Sequence, residues 1–168
     1  MSKYRLDTTC VQGGYRPGNG EPRQIPIIQS TTFRYETSEA MGRLFYTRLQ
    51  NPTNDTVAAK IAEMEGGTAA MLTSSGQAAN FFALFNVCEC GSHIVASSAI
   101  YGGTFNLIEV TMKKMGITAT FVAPDCTEEE LNAAFRDNTR VVFGETIANP
   151  ALWISKNLQK QHMHMECR

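Results

Sequence analysis

The chain carries almost no net charge: 15 lysines and arginines face 16 aspartates and glutamates, a formal −1 at neutral pH. A broad basic surface against phosphates needs a surplus of cations, which excludes nucleic-acid binding of that kind. Long apolar runs are missing too. None approaches the roughly 18 residues of a membrane span. The opening Met1-Ser2-Lys3-Tyr4-Arg5-Leu6-Asp7 lacks the apolar core of a secretory signal. Five cysteines, an odd number without framework spacing, exclude a disulfide scaffold and suggest reduced thiols in a cytosol-like compartment. Neither Gly-x-x-x-x-Gly-Lys-Ser/Thr nor Gly-x-Gly-x-x-Gly occurs, which counts against nucleoside triphosphates and dinucleotides. What is present is 168 residues at 43% hydrophobic and 18% charged, the make-up of one folded domain rather than a disordered chain. A cytoplasmic globular protein, with neither nucleic acid nor membrane as partner, is the expectation.

The first fifty residues are punctuated by Gly13-Gly14, Pro17-Gly18-Asn19-Gly20, Pro22 and Pro26, and no helical period lasts. Residues 1–52 therefore read as an extended arm that packs on a partner. From Thr53 the character changes. Asn54 is placed to cap a helix to about residue 65, with Val57, Ala58, Ile61 and Ala62 on one face and Gly66-Gly67 as the stop. Residues 69–73 have strand length, and a helix over 77–87 follows, with Phe81, Phe82, Leu84 and Phe85 as its buried mass. Residues 93–96 make the next strand. Tyr101-Gly102-Gly103 leads into a helix ending at Lys113-Lys114-Met115-Gly116, and 118–122 form a third strand. Thr127-Glu128-Glu129-Glu130 is a capping box for a helix to Phe135, and 140–144 are a fourth strand. Apolar strands alternating with helices predict an α/β fold with a largely parallel sheet. After Pro150-Ala151 the rhythm fails. Residues 152–168 hold the only tryptophan and two of the three histidines, and resemble nothing before them.

Several groups fall where strands end and helices begin. Ser74-Ser75-Gly76-Gln77 offers free backbone N–H groups at a helix start, with no Cβ at Gly76 to keep an anion away. Its plain alternative is a structural strand–helix turn. Tyr101-Gly102-Gly103-Thr104 and Glu145-Thr146-Ile147-Ala148-Asn149-Pro150 follow later strands on the same edge, where ligands of open α/β sheets gather. Tyr101 is able to stack on a planar ring, or to lie half-buried against the sheet. Tyr46 and Arg48 in the arm suit a phosphate, or a solvated edge. Cys88-Glu89-Cys90 lacks a second ligand pair for zinc, and His162-Met163-His164 lies in the odd tail, so no metal site is expected.

Taken with Leu49-Gln50-Asn51-Pro52-Thr53, Gly20-Glu21-Pro22-Arg23 and Thr111-Met112-Lys113-Lys114-Met115-Gly116, these motifs stand in the order and spacing of one group. Over residues 1 to about 151 the chain resembles the Cys/Met-metabolism family of pyridoxal-phosphate-dependent enzymes, leaning to its O-acetylhomoserine sulfhydrylase branch. The resemblance implies an N-terminal arm plus the first part of the large cofactor domain of a fold-type I, aspartate aminotransferase-like enzyme. It implies pyridoxal 5'-phosphate as cofactor. The substrates would be O-acetylhomoserine with sulfide or methanethiol, in a homotetrameric transferase of methionine biosynthesis. Ser75 and the amides of Gly76 and Gln77 would hold the cofactor phosphate. Tyr101 would stack on the ring, as the candidate catalytic residue. Tyr46 and Arg48 would reach the phosphate of a neighbouring subunit, Asn149 would lie near the phenolic oxygen, and Glu145 would support that loop.

The family's Schiff-base lysine and ring-nitrogen aspartate follow the Asn-Pro turn. Here only Lys156 and Lys160 come later, and no aspartate does. The reading is a partial cofactor domain over 53–151 and a non-matching tail over 152–168, a truncated chain inactive by itself. The alternatives are a non-catalytic partner whose arm completes a full-length subunit's site, and a fragment of a cystathionine γ-synthase or methionine γ-lyase. In this fold the first strand pairs with the last, so 69–73 would be an orphan beside a three-stranded sheet with open edges.

Overall fold

The computed structural model describes residues 4–35 and 46–149, which form two compact units divided between Thr73 and Ser74. The tail expectations, from Lys156 to His164, lie outside the described residues.

In the N-terminal unit, α1 (Leu6–Gln12) is a helix inside the stretch read as an arm of turns and extended segments. It has no side-chain cap, and Gly13 closes it by donating its N–H to the Thr9 carbonyl. The second helix, α2 (Pro52–Glu65), begins two residues before the cap assigned from sequence. Asn51, not Asn54, is the N-cap. Its extended backbone turns the side chain onto the Thr53 N–H at 2.9 Å, and Pro52, which has no N–H to lose, occupies the first helical position. Gly66 ends the helix at φ 67°, the left-handed conformation that glycine adopts without strain. Val57 and Ile61 stay exposed, and Ala62 is the buried residue of the expected face. Gly14 lets α1 and α2 approach: its φ is +78°, and a Cβ there would stand 2.3 Å from the Thr56 carbonyl oxygen.

In the C-terminal unit, α3 (Gly76–Val87), β1 (His93–Ser97), α4 (Gly102–Asn106), β2 (Thr118–Val122), α5 (Glu128–Ala133) and β3 (Thr139–Phe143) follow in turn. Helix α4 continues as a π-helical turn, Leu107–Met112, and ends at Gly116, whose φ is +79°. The sheet order is β2-β1-β3, all parallel. All five residues of the central strand β1 are buried, whereas the outer strands are only partly covered. Alternation along β1 feeds two cores. Ile94 and Ala96 join Leu84, Ile108, Met112 and Ile117 on one face, and Val95 joins Val122, Leu131 and Cys126 on the other. Helices thus cover both faces, as a parallel sheet requires.

Two expectations from the hydrophobic pattern change. Residues 69–73 form no strand. Met71 is 70% exposed, and the segment stays outside the three-stranded sheet, the orphan expected from the topology that the resemblance implies. Phe82 and Phe85 in α3 are 50% and 47% exposed. The buried stripe runs through Phe81, Leu84 and Cys88 at three- and four-residue spacing, and Phe85 instead stacks on Phe81 at 5.2 Å. The capping box is present as expected: the Thr127 hydroxyl accepts from the Glu130 N–H at 3.2 Å, and the Glu130 carboxylate from the Thr127 N–H at 2.8 Å. The helix it opens is two residues shorter than expected.

Candidate functional site

Three segments of the C-terminal unit meet at the carboxyl edge of its sheet. Ser75 is the N-cap of α3, its hydroxyl accepting from the Ala78 N–H at 3.1 Å. That leaves the N–H groups of Gly76 and Gln77 in the first turn for a ligand, at the positive end of the helix dipole. A Cβ built on Gly76 would meet nothing within 4 Å, so the space beside this turn is open. Gly102, at the start of α4, faces open space in the same way.

Tyr101 is the last residue before α4, and its ring is 51% exposed. Two contacts hold it. Its backbone N–H donates to the Glu145 carboxylate at 3.1 Å, which ties the segment after β1 to the segment after β3. Its ring lies against Gly103, where a Cβ would come within 2.4 Å of Cε1. A residue larger than glycine at 103 would push the ring away. Gly103 is therefore required by contact and not by its own backbone angle.

The α3 and α4 helix starts are tied to each other. The Gln77 side-chain amide donates to the Gly103 carbonyl at 2.9 Å, and the Asn80 amide donates to the Thr104 hydroxyl at 3.0 Å. Thr104 is wholly buried. Reading the sequence assigned Gln77 a backbone role alone and passed over Asn80 and Thr104. The signal was there: Gln77 and Asn80, three apart in a mostly apolar helix, lie on one face. Glu145 holds the Tyr101 segment rather than only its own loop. Asn149 is exposed and makes no hydrogen bond among the described residues.

The remaining candidates lie in the N-terminal unit. Tyr46 pairs with Thr32 in an antiparallel bridge, and the Arg48 guanidinium sits over the Tyr46 ring, 5.2 Å from its centroid. The two side chains form one cationic-aromatic unit, with no carboxylate bonded to Arg48 among the described residues. Asn51, buried at the start of α2, donates to the Ile28 carbonyl at 3.0 Å and to the Thr47 hydroxyl at 3.2 Å. Thr53 accepts from the Ile28 N–H at 2.9 Å. The Leu49-Gln50-Asn51-Pro52-Thr53 motif thus fastens the extended segment carrying Ile28 to α2.

No group of three or more His, Cys, Asp or Glu side chains suited to a metal occurs among the described residues. None of their helices is long and apolar enough to cross a membrane. None of the four described cysteines forms a disulfide, and burial raises the thiol pKa of Cys88 and Cys126, which makes both poor nucleophiles.

The family model for Cys/Met metabolism PLP-dependent enzymes matches residues 7–160. The O-acetyl-L-homoserine sulfhydrylase of Leptospira meyeri is 39% identical over 158 residues, which is 89% of this chain and 36% of that protein. The L-methionine gamma-lyase of Fusobacterium nucleatum subsp. polymorphum is 40% identical over 160 residues, covering 90% of this chain and 40% of the lyase. The chain thus spans little more than a third of the length of these relatives. Among solved structures, the metY protein of Campylobacter jejuni, determined with N'-pyridoxyl-lysine-5'-monophosphate, superimposes with a TM-score of 0.84 at 30% identity. The match covers 95% of this chain and 42% of that one.

Proposed function

Because the chain belongs to the Cys/Met-metabolism family of pyridoxal-phosphate-dependent enzymes, we propose that the sheet edge described above is the phosphate and ring end of the cofactor site. The donor set suits the group. Two unspent amides and a hydroxyl gather at a helix start with open space at Gly76, and a half-exposed tyrosine ring stands at the next helix start. Gly76, Gln77 and Ser75 hold the phosphate, and Tyr101 covers the ring. Tyr46 and Arg48 supply a cation and a hydroxyl to the same cofactor in a second copy of the protein. When bound, pyridoxal phosphate supplies a ring that takes up the electron pair of the substrate Cα–H bond.

The observation that carries this reading is the pair of cross-links, Glu145 to the Tyr101 amide and Gln77 to the Gly103 carbonyl. They fix the stacking tyrosine relative to the phosphate-binding turn before any ligand arrives, and such preorganisation lowers the ordering cost of binding. The whole protein's reaction joins O-acetyl-L-homoserine to sulfide or methanethiol. The Cγ–O bond breaks, acetate leaves, and a Cγ–S bond forms to give homocysteine or methionine. The similarity to the methionine lyase supports elimination as a second reading.

These 168 residues bring the phosphate end of the site and not the lysine that holds the cofactor covalently. Titration with pyridoxal phosphate is expected to give saturable absorbance changes, with no pyridoxyl group fixed to the chain by borohydride and no product from O-acetylhomoserine and sulfide. Gly76→Val fills only open space, so its fold is kept while phosphate access is lost, with binding weakened about tenfold or more. Equal affinity in Gly76→Val and the parent would overturn the phosphate assignment. Turnover by the chain alone would overturn the claim about the lysine.

A further inference from the structure

The N-terminal unit contains a cavity of about 380 Å³ that the cofactor reading does not use. Its walls come from α1, α2 and the segment between them, and Arg16, Arg23 and Lys60 all line it. The lining holds no acidic side chain. Arg16 and Arg23 make no hydrogen bond or ion pair among the described residues. Lys60 donates to a neutral partner, the Cys10 carbonyl, at 3.1 Å. Neither neighbouring acid lines the cavity. Glu21 accepts from the Gly18 N–H at 2.8 Å, and Glu63, whose carboxylate comes near Gly13, is not part of the lining.

The segment that carries the arginines is pinned. The Tyr15 hydroxyl donates to the Pro22 carbonyl at 3.0 Å and closes residues 15–22 into a loop. That closure brings Arg16 and Arg23, seven apart in sequence, to one cavity. Unpaired like charges held together repel one another, and an anion relieves the repulsion. Guanidinium forks match carboxylate and phosphate oxygens two at a time. Val11 and Ile25 add an apolar wall, and the volume lies within the range of small-molecule sites.

We propose that this cavity binds a small oxyanion carrying two or more negative charges, separately from the cofactor edge. The test uses the full, cofactor-free chain, with amide chemical shifts followed during titration with inorganic pyrophosphate and, in a second arm, with citrate. Saturable shifts confined to residues 11–25 and 56–60 are expected, with an affinity that falls as salt is raised. Binding in the pyrophosphate arm alone assigns phosphate chemistry, and binding in the citrate arm alone assigns carboxylate chemistry. Both arginines are exposed, so Arg16→Gln/Arg23→Gln keeps the unperturbed spectrum while weakening binding about tenfold or more, the loss of a charge-assisted pair. No saturable shift in either arm, shifts centred instead on residues 75–78, or unchanged affinity in the double variant would each overturn the proposal.

Discussion

The two units hold themselves together by different means. Among the described residues of the N-terminal unit the buried side chains are Thr9, Asn51, Thr56 and Ala62, three of them polar. Order there comes from side-chain hydrogen bonds to backbone: Asn51 to Ile28, Thr53 to Ile28 and Pro26, and Thr47 to Ser30. In the C-terminal unit two apolar clusters sandwich a parallel sheet. The difference matters because hydrogen bonds exchanged with water contribute about 1 kcal/mol each, whereas a buried large aliphatic side chain contributes about two to three times as much. The arm that carries Tyr46 and Arg48 is therefore the less stable partner of the pair. Segments of that kind are suited to being completed by another surface.

The sharpest way to break the comparison is to damage the apolar side. Leu131 is fully buried in the cluster with Val95 and Val122. Leu131→Ala removes its packing and leaves a void, at a cost of about 2–5 kcal/mol. Denaturant unfolding followed by hydrogen exchange should show the loss in residues 93–143, with exchange in 26–32 and 46–65 unchanged. A matched loss in both units would mean that they fold as one cooperative block.

The converse experiment removes a polar pin. Asn51→Ala strands the Ile28 carbonyl and the Thr53 N–H and deletes the cap of α2, an expected cost of about 1–3 kcal/mol. Faster exchange should be confined to residues 26–32 and 46–65. Serine at 51 restores the cap but not the reach to Ile28, so Asn51→Ser should recover the helix and leave the extended segment loose. If the serine variant protects both, the bond to Ile28 is not what holds the arm.

What was legible in the sequence follows the same division. Elements whose signals are local read true: β2 to the residue, the Thr127 capping box, and the Gly66 and Gly116 stops. The segments expected at one sheet edge are also in contact, Gln77 bonding to Gly103 and Glu145 to the Tyr101 amide, while the roles of these residues toward a ligand belong to the proposal. Where a neighbour decides, the reading failed. Residues 69–73 have the propensity of a strand, but a strand exists only by pairing. Phe82 and Phe85 are as apolar as Leu84, and only packing tells which stripe of α3 meets the sheet. Asn51 and Asn54 compete as caps, and Pro52 decides for Asn51 because a proline sits without loss only in the first turn. The Glu145–Tyr101 and Asn80–Thr104 bonds join residues 44 and 24 apart, beyond what local pattern reports.

The smallest expected effect separates the units by pH. His93 is wholly buried at the start of β1, between the Thr139 hydroxyl at 2.8 Å from Nδ1 and the Thr120 hydroxyl at 2.9 Å from Nε2. Burial first, and the Arg136 charge second, push its pKa below the ordinary 6.5. The unfolded chain therefore takes up a proton near pH 6.5 that the folded chain declines. By linkage, folded stability rises with pH wherever the unfolded state binds more protons. His93's contribution is present in full above pH 6.5 and is lost as pH falls through its lower folded pKa. That window lies above the carboxylate range, so a slope there reports histidine. The C-terminal unit should weaken between pH 6.5 and 5.5, while the N-terminal unit, which has no histidine among its residues, should not. His93→Gln keeps a donor and an acceptor for the two threonines but cannot be protonated. It should flatten the slope whatever its own cost in stability, and an undiminished slope in His93→Gln would assign the pH dependence to another group.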